Sequence, residues 1–221
     1  MIIAIDAILA LLLITIGYIA TCYQLNNISW KNKNFSVLKV NKNKILYLIL
    51  AVCSFTTIIV LFQTVYHTIP LTQVKLVVLL ATILPCAAVD FKTHKIPNKF
   101  LLTGLIARVL IYIVEFIISV DDAVASLKND VLAALIIGGF FLLLLFIFKN
   151  SIGMGDIKLF ALMGLYQGLL GVVNSIFFSL MSSFVVSVYL LITKKKTRGD
   201  VVSFGPSIFV GTVIGICLAG M

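Results

Sequence analysis

Asp156 stands in the run Ser151-Ile152-Gly153-Met154-Gly155-Asp156-Ile157-Lys158-Leu159, between two long apolar stretches. A carboxylate at or inside the edge of a membrane costs about 3 kcal/mol on insertion scales, so it asks for a reason. Gly153 and Gly155 leave the backbone bare beside it, open to close approach by a helix or an extended substrate. A helix starting near Asp156 would also turn unpaired N–H groups toward the carboxylate. One carboxylate is half of an acid/base device. The second candidate is Asp90, which opens Asp90-Phe91-Lys92-Thr93-His94-Lys95-Ile96-Pro97-Asn98-Lys99. Two carboxylates a few ångström apart do not both ionise easily and share a proton. The ionised member can take a proton from water while the protonated member polarises a peptide carbonyl, and the roles then reverse. This chemistry needs neither metal nor cofactor, and none is expected. His67 and His94 fall on opposite faces of the expected membrane topology. Cys22, Cys53, Cys86 and Cys217 are scattered through apolar runs without a C-x-x-C pair, and read as packed thiols.

The elements that must position these residues are membrane helices. Of the 221 residues 62% are hydrophobic and 11% charged, and the mean hydropathy is +1.19; soluble domains carry roughly 25% charge. Apolar runs of about 18 to 22 residues match a hydrocarbon core of about 30 Å. Strand-like alternation is absent, which disfavours a β-barrel. The fold class is therefore all-α: a polytopic membrane protein of about eight transmembrane helices in one bundle, with residues 1–221 forming a single domain. The formal charge of +9 sits in short loops, where positive-inside bias and anionic lipid account for it without nucleic acid.

The expected spans run from about Ile2 to Tyr23, Ile45 to Tyr66, Gln73 to Val89, Phe100 to Val120 and Val131 to Phe148. Ile157 to Thr193 is too long for one crossing and weakens at Gly168, Gly171 and Asn174, so it reads as two shorter helices. Val201 to Met221 forms the last span. The first run lacks a basic n-region and a small-residue cleavage site, so it reads as a span and not a signal peptide. Lys31, Lys33, Lys39, Lys42 and Lys44 make the loop at 24–44 cytoplasmic, as Lys194, Lys195, Lys196 and Arg198 do theirs; both chain ends then lie outside. Pro97 suits the first turn of the fourth span. Asp121, Asp122 and Asp130 read as an acidic outer loop. By this counting Asp90 and Asp156 meet at the cytoplasmic side, where Asp200 is the one other acidic residue expected.

Three motifs in order then carry a resemblance: Asp90 with Ile96-Pro97-Asn98, Gly153-Met154-Gly155-Asp156 with Lys158-Leu159, and Phe204-Gly205-Pro206 followed by Gly211. Together they resemble the bacterial prepilin peptidases, the type IV leader peptidases among the GxGD aspartic proteases. The resemblance implies that Asp90 and Asp156 are the catalytic dyad and that Gly153 and Gly155, with Pro97, Gly205 and Pro206, support it. It implies cleavage of the basic leader from type IV prepilins or pseudopilins by an enzyme of the bacterial cytoplasmic (inner) membrane, active site facing the cytoplasm. Substrates and membrane lipids are the partners implied. Many members carry a cysteine-rich cytoplasmic insertion after the first span and methylate the new N-terminus. Here the loop at 24–44 is short and has no cysteine pair, so it gives no support for N-methyltransferase activity. Presenilin-type proteases share GxGD but pair it with Pro-Ala-Leu, which is absent here.

Blander readings stand beside these. Asp156 is also a natural helix N-cap, and Asp90 a solvated charge balanced by Lys92 and Lys95. Gly205-Pro206 can simply shape the last span. Lys158 points away from Asp156 on a helix and reads as an interfacial anchor. Arg108 and Glu115, two turns apart in one span, read as a buried structural pair, with a substrate contact as the alternative for Arg108. A small proton- or cation-coupled secondary transporter would use the same two aspartates, and would be marked by corresponding broken helices in two chain halves.

Overall fold

A computed structural model describes residues 14–21, 51–52, 56, 70–148, 152–194 and 202–219, and every regular element among them is an α-helix. They are α1 (Pro70–Thr93), α2 (Asn98–Ile118), α3 (Val120–Ile147), α4 (Met154–Ile192) and α5 (Gly205–Ala219). The first four are long and apolar enough to cross a membrane, while α5 is a shorter apolar helix. At 15 residues it rises about 22 Å, so the span expected over Val201 to Met221 is cut short at its start by non-helical residues 202–204. The expected first and second spans, the loop at 24–44 and the basic run after Lys194 lie outside the described residues, apart from helical residues at 14–21, 51–52 and 56. The described helices therefore account for only part of the expected eight crossings.

Burial divides the bundle. In α1, 67% of the apolar window is inside the protein, against 22% in α2, 28% in α3 and 17% in α4. Leu76, Leu79, Leu80 and Ile83 of α1 form the centre of the core with Leu159, Phe160 and Met163 of α4. Leu102, Leu110, Leu135, Leu143, Leu170 and Phe184 are exposed instead. Lipid tails solvate such side chains, so no hydrophobic force drives them inward, and close packing by small residues does more of the holding. Gly104 lies against Thr82 and Leu162, Gly164 against the backbone of Ala133 and Ala134, and Gly215 against Ser175.

Three corners define the topology. His94, with φ 51, ends α1, and Pro97, extended at φ −72 and ψ 125, is the N-cap of α2. Pro97 thus stands one residue before the first turn expected for it. Ser119 is also extended and serves two helices, giving its N–H to the Glu115 carbonyl and accepting from the Asp122 amide at its Oγ. This N-cap, followed by Asp121 and Asp122 in the first turn, satisfies and complements the helix N-terminus. The expected acidic loop is therefore helical: α3 starts at Val120 instead of Val131, and Asp130 is 3% exposed inside the bundle.

The third corner is Gly168, whose φ of 65 and ψ of −173 interrupt α4. A side chain at this φ is strained, and an added Cβ would collide with Asn129. Beyond it, Ser175 lies on Gly215 and Ser179 on Gly211, so the second arm of α4 runs antiparallel to α5. Since α5 starts beside Asp90, that arm returns toward the end at which α4 began. The expected division of Ile157–Thr193 falls at Gly168.

Candidate active site

Asp90 lies in the last turn of α1, which runs on past the expected boundary at Val89. It is 6% exposed. Its Oδ2 accepts a 2.8 Å hydrogen bond from the N–H of Gly205, the first residue of α5. That amide belongs to a helix N-terminus and has no partner within its own helix, so the carboxylate completes it. Lys92 and Lys95 are exposed, and neither forms an ion pair with Asp90; the solvated-charge reading does not describe it. A Cβ at Gly205 would come within 2.8 Å of the Asp90 Cβ and 3.1 Å of the Ala87 Cα. Glycine is what permits this approach of α5 to α1.

Asp156 is the third residue of α4, whose N-cap is Gly153 without a side-chain cap. The helix therefore starts two residues before Asp156, which is not its N-cap. The carboxylate turns back on Gly153, whose backbone hydrogen-bonds to it, as an acidic residue at this position does in a capping box. Its Oδ2 would stand 2.8 Å from a Cβ at Gly153. Gly155 faces Ile96, 2.9 Å from where its own Cβ would be, so the turn after α1 rests on the residue preceding Asp156. Asp156 is half-buried and lies within electrostatic range of Asp90.

The structure thus brings Asp90, Gly153, Gly155, Asp156 and Gly205 to one end of the bundle, with Pro97 in the adjoining turn. Pro206 follows Gly205 in the first turn of α5, where its missing N–H costs no helical bond. Phe204 packs edge-on against Phe160 at 5.9 Å between ring centres, holding the start of α5 against α4. Lys158 is exposed and donates to Asn98 Oδ1 at 3.1 Å, a contact between α2 and α4 that helical spacing alone did not disclose. Among the described residues no group of three or more His, Cys, Asp or Glu side chains has metal-binding geometry.

A second polar cluster lies deeper. Arg108 is fully buried, with Nη1 3.0 Å from Glu115 Oε1, Nη2 2.6 Å from Asp130 Oδ2 and Nε 2.7 Å from the Leu165 carbonyl. The expected Arg108–Glu115 pair forms; Asp130, assigned from the sequence to an outer loop, completes it. Glu115 is also 3.6 Å from Lys75 Nζ. Tyr112 lies 3.7 Å beneath the guanidinium and donates to Asp130 at 3.1 Å. The signal for Asp130 was its place in a helix begun by Ser119, which the acidic composition of the segment masked.

Residues 76–191, just over half the chain, match the model of the type IV leader peptidase family. The chain belongs to that family. The matched segment holds both aspartates of the site. The chain is also 25% identical over 143 residues to a prepilin leader peptidase/N-methyltransferase of Pectobacterium carotovorum subsp. carotovorum, a match covering 65% of this chain and 50% of that relative. This leader peptidase family member thus spans about half the length of that relative. No solved structure matches it.

Proposed function

We propose that this protein is an intramembrane aspartic endopeptidase that removes the basic leader from type IV prepilins or pseudopilins at the cytoplasmic face of a bacterial inner membrane. The observation that supports the reading is that Asp90, held on the Gly205 amide, and Asp156, in the first turn of α4, lie at the same end of the bundle, within a chain of the leader peptidase family. The ionised carboxylate takes a proton from a water held between the two, and the resulting hydroxide equivalent attacks the scissile carbonyl carbon. The protonated carboxylate gives its hydrogen to the carbonyl oxygen. The tetrahedral intermediate then collapses: the C–N bond breaks, the amine takes a proton from the first carboxylate, and the second recovers its own from the gem-diol hydroxyl.

Supporting groups follow from the contacts. The Gly205 amide fixes one oxygen of Asp90, and Gly153 holds Asp156 at the start of α4. Exposed Met154 and Phe91 beside them offer apolar surface to the start of a substrate's hydrophobic helix. The transporter alternative asked for corresponding broken helices in two chain halves; the break at Gly168 has no described counterpart, and nothing favours that reading over the peptidase. Co-expression of a type IV prepilin with the wild type, Asp90→Asn and Asp156→Asn tests the proposal. Each variant is expected to insert normally and to lose at least about 100-fold in cleavage rate. Normal maturation by either would overturn it.

A further inference from the structure

We infer that Arg108 is a positioning residue for the site: it caps the arm of α4 that carries Asp156 and fixes how far that arm reaches toward Asp90. The inference rests on the peptidase reading for its kinetic consequence but not for its geometry.

The break at Gly168 ends the first arm of α4 as a helix C-terminus inside the protein. Carbonyls in its last turn lose their partners four residues ahead, and a buried carbonyl must find another donor. Arg108 Nε donates to the Leu165 carbonyl at 2.7 Å, and the Tyr112 hydroxyl, whose one proton goes to Asp130, lies 3.4 Å from the same oxygen. The same guanidinium is held from its other edge by Glu115 on α2 and Asp130 on α3, and Ser126 Oγ donates to Asp130 at 3.2 Å. One planar group therefore ties three helices at the point where α4 turns back. A cation at a helix C-terminus also complements its dipole.

Leu165 lies nine residues from Asp156, about 14 Å along the helix. Over that length α2 and α4 run side by side, joined at Asn98 to Lys158, at the Gly104 carbonyl to the Tyr166 hydroxyl at 2.7 Å, and at Arg108 to Leu165. The α1–α2 turn carries Ile96 onto Gly155. A shift of the arm along α2 would therefore move Asp156 relative to Asp90 as a rigid body. Arg108 is the charged, fully buried member of this ladder, and its fork cannot be reproduced by lysine, which has one point of attachment.

Two variants test the assignment. Arg108→Lys keeps the charge; Arg108→Met combined with Asp130→Asn removes one charge of each sign and leaves Lys75 with Glu115, and replacing a buried ion pair in this way is commonly tolerated. Each is measured for prepilin cleavage and, with Cys22, Cys53, Cys86 and Cys217 replaced by alanine, for bridging of Asn98→Cys to Lys158→Cys by a short bifunctional thiol reagent. The expected result, for protein that inserts and unfolds cooperatively, is a kcat lower by about 10- to 100-fold with KM changed less than about twofold, and a reduced bridging yield in both variants. A folded variant with wild-type kcat and wild-type bridging overturns the inference, as does full rescue by Arg108→Lys, which would reduce the cluster to charge balance. Bridging needs no activity. If Asp90→Asn or Asp156→Asn proved active, the peptidase mechanism would fail while the capping role was still decided by bridging.

Discussion

Gly205 carries two duties. Its N–H bonds Asp90, and its missing Cβ leaves room for the Asp90 side chain and the backbone of Ala87. Gly205→Ala forces a methyl group against backbone as well as side chain, so it cannot be absorbed by a rotamer change. The expected cost is about 1–3 kcal/mol of stability, with a cleavage rate lowered by more than about tenfold as Asp90 is displaced. Thermal unfolding in detergent and prepilin processing measure the two separately. Pro206→Ala keeps the Gly205 amide and occupies a first-turn position where proline is optional; its processing rate is expected to stay within about threefold of wild type. The contrast distinguishes a requirement at residue 205 from a general need for a rigid start to α5.

Among the elements, α4 holds most of the information about how the site is built. Its first arm presents Asp156, its break receives Arg108, and its second arm packs on α5, which in turn holds Asp90. Gly168 is where these demands meet. Gly168→Ala places a Cβ at a φ of 65 and into Asn129, and this positive-φ region with ψ −173, essentially reserved for glycine, alone costs about 1–3 kcal/mol. The expected result is a lower unfolding temperature in detergent, while Gly139→Ala, where a Cβ meets nothing, is expected to leave it unchanged or slightly raised. Equal behaviour of the two variants would show that the break is not strained.

For the whole molecule, the antiparallel pairs set which ends share a membrane face. The α1–α2 turn, the start of α4, the end of its second arm and the start of α5 fall together; the α2–α3 corner at Ser119 falls at the opposite end. The basic residues that gather near the first group and positive-inside bias are the basis for the proposal that this group faces the cytoplasm. In a cysteine-free background, single cysteines at exposed Lys95 and Lys194 are expected to react with a membrane-impermeant maleimide only after the cell is opened. One at exposed Asp121 is expected to react in intact spheroplasts. Labelling of Lys95→Cys from outside would reverse the orientation and remove the cytoplasmic site.

Legible in the residues alone were the apolar helical class, the two aspartates as candidates with the motifs around them, and the division of the long apolar run near Gly168. These are legible because hydrocarbon thickness fixes helix length, because a carboxylate is costly in lipid, and because a glycine among apolar residues marks a change of direction. The packed helices were needed to reveal that Asp90 is buried on the Gly205 amide, that Asp130 belongs to a buried ion cluster, and that Lys158 reaches Asn98. Each of those depends on which helix faces which, and hydropathy carries no partner. The segment from Asp121 to Asp130 illustrates the reason: three acids suggest an exposed loop, yet an N-cap at Ser119 starts a helix there and an arginine 22 positions away supplies the countercharge.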